Sequence, residues 1–292
     1  MKLDFQTLTL HHAHQLRGFF DGGKTRLCDQ TMGGVMMWRN CFQTQVAIED
    51  DCLYFRSEHL PGQWAFSPPM GDLLKGVRRL QEHCKETGEE LVFCSVGEKE
   101  KDQILSLLPS SQALPTRDWF DYLYLSENLK TFAGKKLAGQ RNHRNYFLKN
   151  HPQWHFEKVS EENLSLVKDF LQQYYANTEK SSPYFNEEKN AVMEVLENLN
   201  VYGFFGGILF VEKKAVAVSF GEQIGDTVFV HIEKANREVR GAYQMIVSEF
   251  LKHFASDSCV YVNREEDVGD PGLRYSKESY HPHCLLEKYS IR

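Results

Sequence analysis

The sequence predicts an α/β protein in which an arrangement of mixed sheet and helices occurs twice. Short runs of β-branched and aromatic residues alternate with segments whose apolar residues recur at helical spacing. Both halves of the chain show the same order: several strands, then helix, strand, helix and strand. A chain of 292 residues suits two domains of ordinary size. We therefore expect one domain over residues 1–130 and a second over residues 131–292.

In the first half, two strands flank a short acidic turn and a third ends at a pair of prolines. A helix follows, because Leu73, Val77, Leu80 and Cys84 recur at intervals of three or four residues. The predicted elements of this half are strands at 44–48, 52–55 and 64–67, a helix at 72–87, a strand at 91–96, a helix at 99–108 and a strand at 121–125.

The second half begins with helices and then repeats the pattern of the first. Pro271 and Gly272 predict a turn before a short helix. The predicted elements are helices at 161–175 and 187–198, strands at 207–211, 215–223 and 227–233, a helix at 242–254, a strand at 259–262, a helix at 273–279 and a closing strand at 285–290.

Composition narrows the classes of function. A net charge of −6 argues against a wholly basic surface, although a local basic patch is compatible with it. The N-terminus lacks an apolar signal-peptide core, and no apolar run approaches the roughly 18 residues of a membrane helix. We therefore expect a soluble, cytoplasmic protein without a transmembrane segment. Seven cysteines without a CxxC pair favour neither a disulfide framework nor a zinc site.

Charged and polar residues are concentrated at 261–282, directly after a short apolar strand. Open α/β sheets build their sites where strands end, so this segment is expected to form one wall of a site. The acids at 265–267 lack the spacing of a calcium-binding loop, and Arg264 would compete with a cation. We expect them to pair with Arg274 and Lys277, and we expect no metal. Asn263 and Arg264 should face the cleft.

Two polar residues fall on one face of the strand at 227–233. Simple alternation places Phe229, His231 and Glu233 on the same side. Glu233 could accept a proton from a substrate in a partly desolvated site. It could equally form a structural ion pair with Lys234, Arg264 or His231, and the sequence leaves both alternatives open.

A loop of small and basic residues, Arg240-Gly241-Ala242, precedes the helix at 242–254. Free N–H groups and the helix dipole at such an N-terminus favour an anion. A plain strand-to-helix turn with a solvated Arg240 is the alternative.

The segment 130–156 contains no acidic residue. If 137–148 is helical, Arg141 and Arg144 share a face with two leucines and could meet a carboxylate, a phosphate or RNA. The alternative is a basic helix that docks on the acidic remainder of the protein.

The chain resembles tandem GNAT acyltransferases and, more closely, a bacterial family related to the C-terminal domain of lysylphosphatidylglycerol synthases. The resemblance spans much of the chain and is specific for the family but not for a reaction. It is carried by Gly134-Lys135-Lys136, Gln140-Arg141-Asn142-His143, His231-Ile232-Glu233-Lys234-Ala235, Arg240-Gly241-Ala242-Tyr243-Gln244, Asn263-Arg264-Glu265-Glu266-Asp267, Gly272-Leu273-Arg274 and Ser279-Tyr280.

The resemblance implies two tandem GNAT-like domains and transfer of an acyl or aminoacyl group. The donor would be an acyl-CoA thioester or an aminoacyl-tRNA, and the acceptor an amine or hydroxyl of a small molecule, lipid or peptide. The second domain would carry the site and the first would be non-catalytic, lining a cleft. A non-catalytic GNAT-like module that binds RNA or a small metabolite is the alternative.

The resemblance also assigns roles to residues. Glu233 would be the general base and Tyr280 the general acid, with Tyr275 as a competitor for that role and simple packing as the alternative for both tyrosines. Arg240, Gly241 and Ala242 would bind the donor phosphate. His231, Asn263, Arg264, Arg141 and Arg144 would contact substrate. Glu238 and Tyr243 depart from the usual coenzyme A loop, which leaves room for another donor.

Overall fold

The computed structural model describes residues 2–20, 25–60, 62–178 and 184–292. Within these ranges the strands are β1 (Gln6–Thr7), β2 (Gln45–Glu49), β3 (Cys52–Leu60), β4 (Gln63–Phe66), β5 (Phe93–Gly97), β6 (Ala113–Pro115), β7 (Asp121–Leu125), β8 (Trp154–Lys158), β9 (Phe205–Val211), β10 (Lys214–Ile224), β11 (Thr227–Ala235), β12 (Tyr261–Asn263), β13 (Cys284–Leu286) and β14 (Lys288–Ile291).

The α-helices over the same ranges are α1 (Ala13–Phe20), α2 (Met32–Trp38), α3 (Leu73–Thr87), α4 (Glu98–Leu107), α5 (Ser126–Thr131), α6 (Ala138–Asn150), α7 (Leu164–Asn177), α8 (Phe185–Glu197), α9 (Leu199–Tyr202), α10 (Ala242–Phe254) and α11 (Pro271–Glu278). Single 3₁₀ turns lie at Leu10–His12, Cys28–Gln30 and Arg117–Trp119. None of the described helices is both long and apolar enough to cross a membrane.

The strands form two seven-stranded sheets built to one plan. The first has the order β1-β2-β3-β4-β5-β14-β6 and the second β8-β9-β10-β11-β12-β7-β13. In each, four antiparallel strands lead to one parallel pair, β4 with β5 and β11 with β12, and two antiparallel strands follow. The predicted fold class, α/β with mixed sheets in two halves, is confirmed.

The sixth strand of each sheet comes from the other half of the chain. Strand β7 pairs with β12 and β13 in the second sheet, whereas β14 pairs with β5 and β6 in the first. The predicted single strand at 285–290 is wrong, because the chain leaves one sheet at Leu286 and enters the other at Lys288. These two strands therefore lie in sheets on the other side of the expected domain boundary at residue 130. The division of the chain into domains at that residue stays a prediction.

The two sheets share one hydrophobic core around helices α1, α2, α7 and α8. Leu53 and Phe55 of the first sheet belong to the same buried cluster as Ile208 and Phe220 of the second. A separate cluster covers the other face of the first sheet beneath α3 and α4, and α5, α6 and α10 cover the other face of the second. The shared core holds the two sheets together as a single packed unit.

The exchanged strand β14 is expected to be essential to stability. Ile291 is fully buried in the core of the first sheet. Ile291→Ala should lower the free energy of unfolding by about 2–4 kcal/mol, because truncation leaves a cavity in a packed core. Urea denaturation measures the change. Leu114→Ala on the neighbouring strand is the matched control, since Leu114 is 52% exposed. An equal effect of both substitutions would contradict burial of β14.

Candidate active site

A cavity of about 340 Å³ lies between the two halves, beside the shared core. Aromatic residues supply part of its wall, and carboxylates and hydroxyls supply the rest. Its lining residues come from β3, β5 and β14 of the first sheet, from α2 and from turns and loops of both halves of the chain: Cys28, Asp29, Gly34, Val35, Trp38, Phe42, Thr44, Phe55, Ser57, Ser67, Cys94, Ser95, Thr116, Trp119, Glu265, Glu266, Lys288, Tyr289, Ser290 and Arg292. Cavities of this size accommodate small molecules or part of a larger one.

Lys288 is the centre of a buried ionic cluster at the edge of this cavity. Its side chain is 2% exposed, its Nζ contacts Asp29, and the same Nζ lies 2.7 Å from Asp121 and 3.5 Å from Glu266. The Cys28 thiol lies 3.3 Å from this ammonium group. Although burial disfavours charge, the surrounding carboxylates raise the pKa of Lys288 well above its ordinary value. The lysine is therefore a cation at physiological pH.

Glu266 and Cys28, unlike Lys288, favour their uncharged forms in this cluster. Burial, together with Asp121 and Glu265, raises the pKa of Glu266 to about 7, although Lys288 acts against the rise. Burial and the neighbouring acids also raise the pKa of the Cys28 thiol, so it stays protonated. Glu266 is thus the carboxylate of this cluster that is poised to exchange a proton near neutral pH.

Three of these residues offer ligand atoms at metal-binding spacing. Cys28, Asp121 and Glu266 bring theirs within 4.8 Å of one another, the one such group among the described residues. The Lys288 ammonium lies within hydrogen-bonding distance of both Cys28 and Asp121. The same atoms would bind a metal only if this ammonium moved away, so we assign the group to an ion-pair cluster.

His231 lies between two carboxylates next to the cavity. Its side chain is fully buried, with Nδ1 2.7 Å from Glu265 and Nε2 3.0 Å from Glu222. Phe204 stacks on the ring with centroids 4.8 Å apart. Burial favours the neutral ring, but the hydrogen bonds to Glu222 and Glu265 outweigh it and raise the pKa of His231 to about 9.

The predicted shared face of His231 and Glu233 is wrong. The register with β10 shifts at Phe220 and Gly221, so His231 is the extra residue of a β-bulge. Val230 packs in the cluster beneath α10, whereas Ile232 packs in the core between the sheets. Glu233 accordingly lies on the α10 side and His231 on the cavity side. Gly221, at the register shift, is the signal that could have indicated the bulge, because a Cβ there would lie 2.0 Å from the carbonyl oxygen of Phe229.

Glu233 lies at the fork where β11 and β12 separate. The parallel pairing ends at Phe229 and Asn263, and beyond it the Arg264 Nη2 lies 2.6 Å from Glu233. The Arg264 guanidinium also covers the Tyr280 ring at 4.5 Å. We name Glu233, Arg264 and Tyr280 the fork site. Both side chains of the ion pair are 11% exposed.

Two further contacts complete the fork site. Gln244 donates to the Tyr280 hydroxyl at 3.2 Å and to Gln140 at 2.8 Å. Burial raises the pKa of Tyr280 to about 12, so the phenol keeps its proton at neutral pH. The Nη1 of Arg264 is buried and lies without a hydrogen-bond partner in the described parts of the chain. A buried donor of this kind needs an acceptor, which a bound substrate can supply.

The loop at 240–242 is positioned by helix α6. Gly241 has φ of 90°, and a Cβ there would lie 2.3 Å from the carbonyl oxygen of His143. Arg240 is exposed and stacks on Tyr146 at 4.5 Å, and Ala242 is buried. The glycine is thus required for close packing against α6. Its predicted role in binding a donor phosphate remains a prediction.

Three of the other predicted substrate-binding residues have structural partners. Arg141 donates to the carbonyls of Phe132 and Gly134, and Arg144 donates to that of Thr131. These carbonyls end helix α5, so the two arginines cap it. Asn263 is fully buried and donates to Asp121 at 2.7 Å. Direct contact of these residues with substrate stays a prediction.

The acids at 265–267 have three different partners. Asp267 accepts from Arg274 and Arg117, and although burial opposes ionisation, these bonds hold the pKa of Asp267 well below its usual range. Glu265 binds His231, and Glu266 belongs to the Lys288 cluster. Lys277 donates to the backbone carbonyls of Arg264 and Glu266. Of these three acids, Asp267 alone pairs with Arg274 as expected. Lys277 was also expected to pair with an acid, but it donates to backbone carbonyls instead.

Several residues in and around the cavity were not predicted as site residues from the sequence. Cys28, Asp29, Asp121, Glu222 and Lys288 lie far apart in the chain and in unremarkable local patterns. The one usable signal was Lys288, a cation inside a short strand whose neighbours Tyr289 and Ile291 are core residues. Recognising it would have required knowing that this strand crosses to the first sheet.

Loss of the Lys288 charge should be severely destabilising. Lys288→Met leaves Asp29, Asp121 and Glu266 without their shared counter-ion, and an uncompensated buried charge costs about 3–5 kcal/mol. Urea denaturation of the variant tests this, with Lys213→Met on an exposed turn as control. Lys288→Met combined with Asp121→Asn should recover part of the loss. A neutral effect of Lys288→Met would contradict the cluster.

His231 should make stability depend on pH. Its folded-state pKa of about 9 lies above the unfolded value of about 6.5, so its stabilisation is complete below pH ~6.5 and is lost as pH rises through ~9. The free energy of unfolding of the parent protein should fall over this window. That of the His231→Gln variant should fall less. Urea titrations at a series of pH values measure both slopes. Identical slopes would show that the ring is neutral in the folded protein.

Comparison with known proteins agrees with this architecture. The family model described as "Phosphatidylglycerol lysyltransferase, C-terminal" matches residues 22–292. A crystal structure of a conserved protein of unknown function from Bacteroides thetaiotaomicron is 32% identical, covers 99% of both chains and has a TM-score of 0.90. The C-terminal domain of a putative lysylphosphatidylglycerol synthetase from Agrobacterium fabrum is similar in fold at 14% identity, with a TM-score of 0.66 over 96% of this chain and 91% of that one.

A curated but uncharacterised protein of Mycoplasmoides gallisepticum is 25% identical over 175 residues, 59% of this chain. That match spans 56% of the curated relative's own length. The expected family relationship is confirmed. The chain belongs to the family of phosphatidylglycerol lysyltransferase C-terminal domains.

Proposed function

We propose that this protein transfers an aminoacyl or acyl group to an amine or hydroxyl acceptor at the fork site. The observation that carries the proposal is the meeting of a carboxylate, a guanidinium and a phenol where β11 and β12 separate, in a chain of a transferase family. The Arg264 Nη1 supplies a buried donor that has no acceptor among the described residues.

Each group of the fork site has a role in this chemistry. Glu233 receives the proton of the acceptor, whose nitrogen or oxygen attacks the carbonyl carbon of the donor. The new C–N or C–O bond forms as the ester or thioester bond breaks, and the Tyr280 hydroxyl supplies a proton to the leaving group. Arg264 Nη1 donates to the carbonyl oxygen while negative charge develops on it. The ion pair with Arg264 keeps the Glu233 carboxylate oriented.

An aminoacyl-tRNA suits the geometry better than an acyl-CoA. The backbone of α6 already packs on Gly241, where coenzyme A loops approach a pyrophosphate, and the exposed Glu238 lies in the same loop. A second cavity of about 480 Å³ is lined by Lys135, Lys136, His281 and His283. Such a basic surface suits the phosphates of an RNA. The alternative is that this surface holds RNA without any transfer.

Glu233→Gln should lower the transfer rate by about 10²–10⁴-fold, because the general base is lost while side-chain volume is kept. The assay offers labelled aminoacyl-tRNA and, separately, acyl-CoA to the purified chain with amine and hydroxyl acceptors, and it measures label in product. Glu197→Gln on the exposed face of α8 is the matched control. The circular dichroism of both variants should match the parent protein.

Three outcomes are informative. Full activity of Glu233→Gln would remove this residue from the mechanism. Transfer from acyl-CoA but not from aminoacyl-tRNA would overturn the preferred donor. Salt-dependent RNA binding with no product from either donor would favour the binding-module alternative over an enzyme.

A further inference from the structure

We propose that the cavity beside Lys288 is a binding site for a ligand that carries a primary ammonium group next to an apolar portion. The site is separate from the fork site, on the opposite face of the second sheet, and it needs no transfer reaction to be tested. In a transferase, such a group would belong either to an aminoacyl donor or to an amine acceptor.

The first argument is charge balance. Five carboxylates meet around the cavity: Asp29, Asp121, Glu222, Glu265 and Glu266. Three buried cations face them, Lys288, protonated His231 and Lys277, the last bonded to backbone carbonyls. Five negative and three positive charges leave two negative charges uncompensated. Arg292 also lines the cavity, but it is exposed, so solvent and salt screen its charge.

An excess of buried negative charge must be neutralised by a proton or by a cation. Glu266 shows the first route, since its carboxyl group takes up a proton near neutral pH. An ammonium ligand provides the second and would displace that proton. The carboxylates that line the cavity, Asp29, Glu265 and Glu266, are the ones a ligand can reach.

The second argument is the aromatic part of the same cavity. Trp38, Phe42 and Trp119 line the cavity, and Phe42 lies within 6.3 Å of both tryptophan rings, centroid to centroid. Aromatic faces attract organic cations and also bury an apolar chain. Carboxylates and aromatic rings that line one cavity thus suit a group that is cationic at one end and apolar at the other.

The same features disfavour other ligands. An anion would meet a net negative surface, and the one ammonium group that lines the cavity is saturated by carboxylates. A metal ion would have to displace Lys288 from Cys28 and Asp121. The cavity is also too small for the whole of a nucleotide-bearing cofactor, so the ligand group that enters it is small.

Isothermal titration of the purified chain at about pH 7.5, without any acyl donor, tests the proposal. The probes are 2-phenylethylamine and n-butylamine, with 2-phenylethanol and 1-butanol as neutral matches. We expect each amine to bind at least tenfold more tightly than its alcohol. Because Glu266 loses a proton on binding, the heat should differ between buffers of different ionisation enthalpy.

Variants assign the binding to the cavity. Glu266→Gln should weaken amine binding about tenfold and abolish the buffer dependence, whereas Glu162→Gln on an exposed turn should change neither. Glu233→Gln should keep amine binding even where transfer is lost, which separates this proposal from the preceding one. If Glu266→Gln proves poorly folded, the buffer dependence in the parent protein still decides the matter.

Equal affinity for amine and alcohol, or binding of neither, would overturn the proposal. So would tight binding of Zn²⁺ or Mg²⁺ that the amines cannot displace. Comparing leucinamide with n-butylamine distinguishes the two sources of the group: tighter binding of the amide indicates an aminoacyl moiety, and tighter binding of the simple amine indicates an acceptor. Either order supports an ammonium site.

Discussion

The contact between Lys288 and Asp121 fixes the way the two halves of this protein are joined. Asp121 begins β7, where the chain crosses from the first sheet to the second, and Lys288 begins β14, where it crosses back. Their 2.7 Å contact and the backbone bond from Thr116 to Lys288 tie the two crossings together. Buried ion pairs add little net stability but penalise misalignment heavily, so we infer that this pair specifies the strand exchange.

The strand exchange also explains why both candidate sites depend on one short segment. Residues 264–266 follow β12 directly, beyond the fork where β11 and β12 separate. Glu265 has a φ of 58°, in a region that residues other than glycine rarely adopt. The Asn263 side chain, anchored on Asp121, accepts from the Glu265 N–H at 2.6 Å and holds this conformation. Arg264 is thereby directed to the fork site, whereas Glu265 and Glu266 are directed to the cavity.

The sequence predicted the parts of this structure that local pattern controls. The twofold architecture and helices such as α3 and α10 follow from periodicity, and the polar residues that follow β12 mark the end of a strand. Two features depended on long-range packing: the crossing at Glu287 and the gathering of Cys28, Asp29 and Asp121 around Lys288. No local residue pattern encodes these two, since each arises from how distant segments meet. The bulge at His231 lies within the β10–β11 hairpin, and Gly221 is a local signal for it.

The bulge has the largest consequence for function, because it separates two groups that the sequence places together. With regular alternation, His231 and Glu233 would act on one substrate in one site. In the structure, His231 joins Glu222 and Glu265 on the cavity side, and Glu233 joins Arg264 on the α10 side. The backbone of 264–266 also links the two groups, because Glu265 contacts His231 and Arg264 contacts Glu233. A ligand that changes the charge on Glu265 or Glu266 would act on the fork site through the position of Arg264, not through a shared substrate atom.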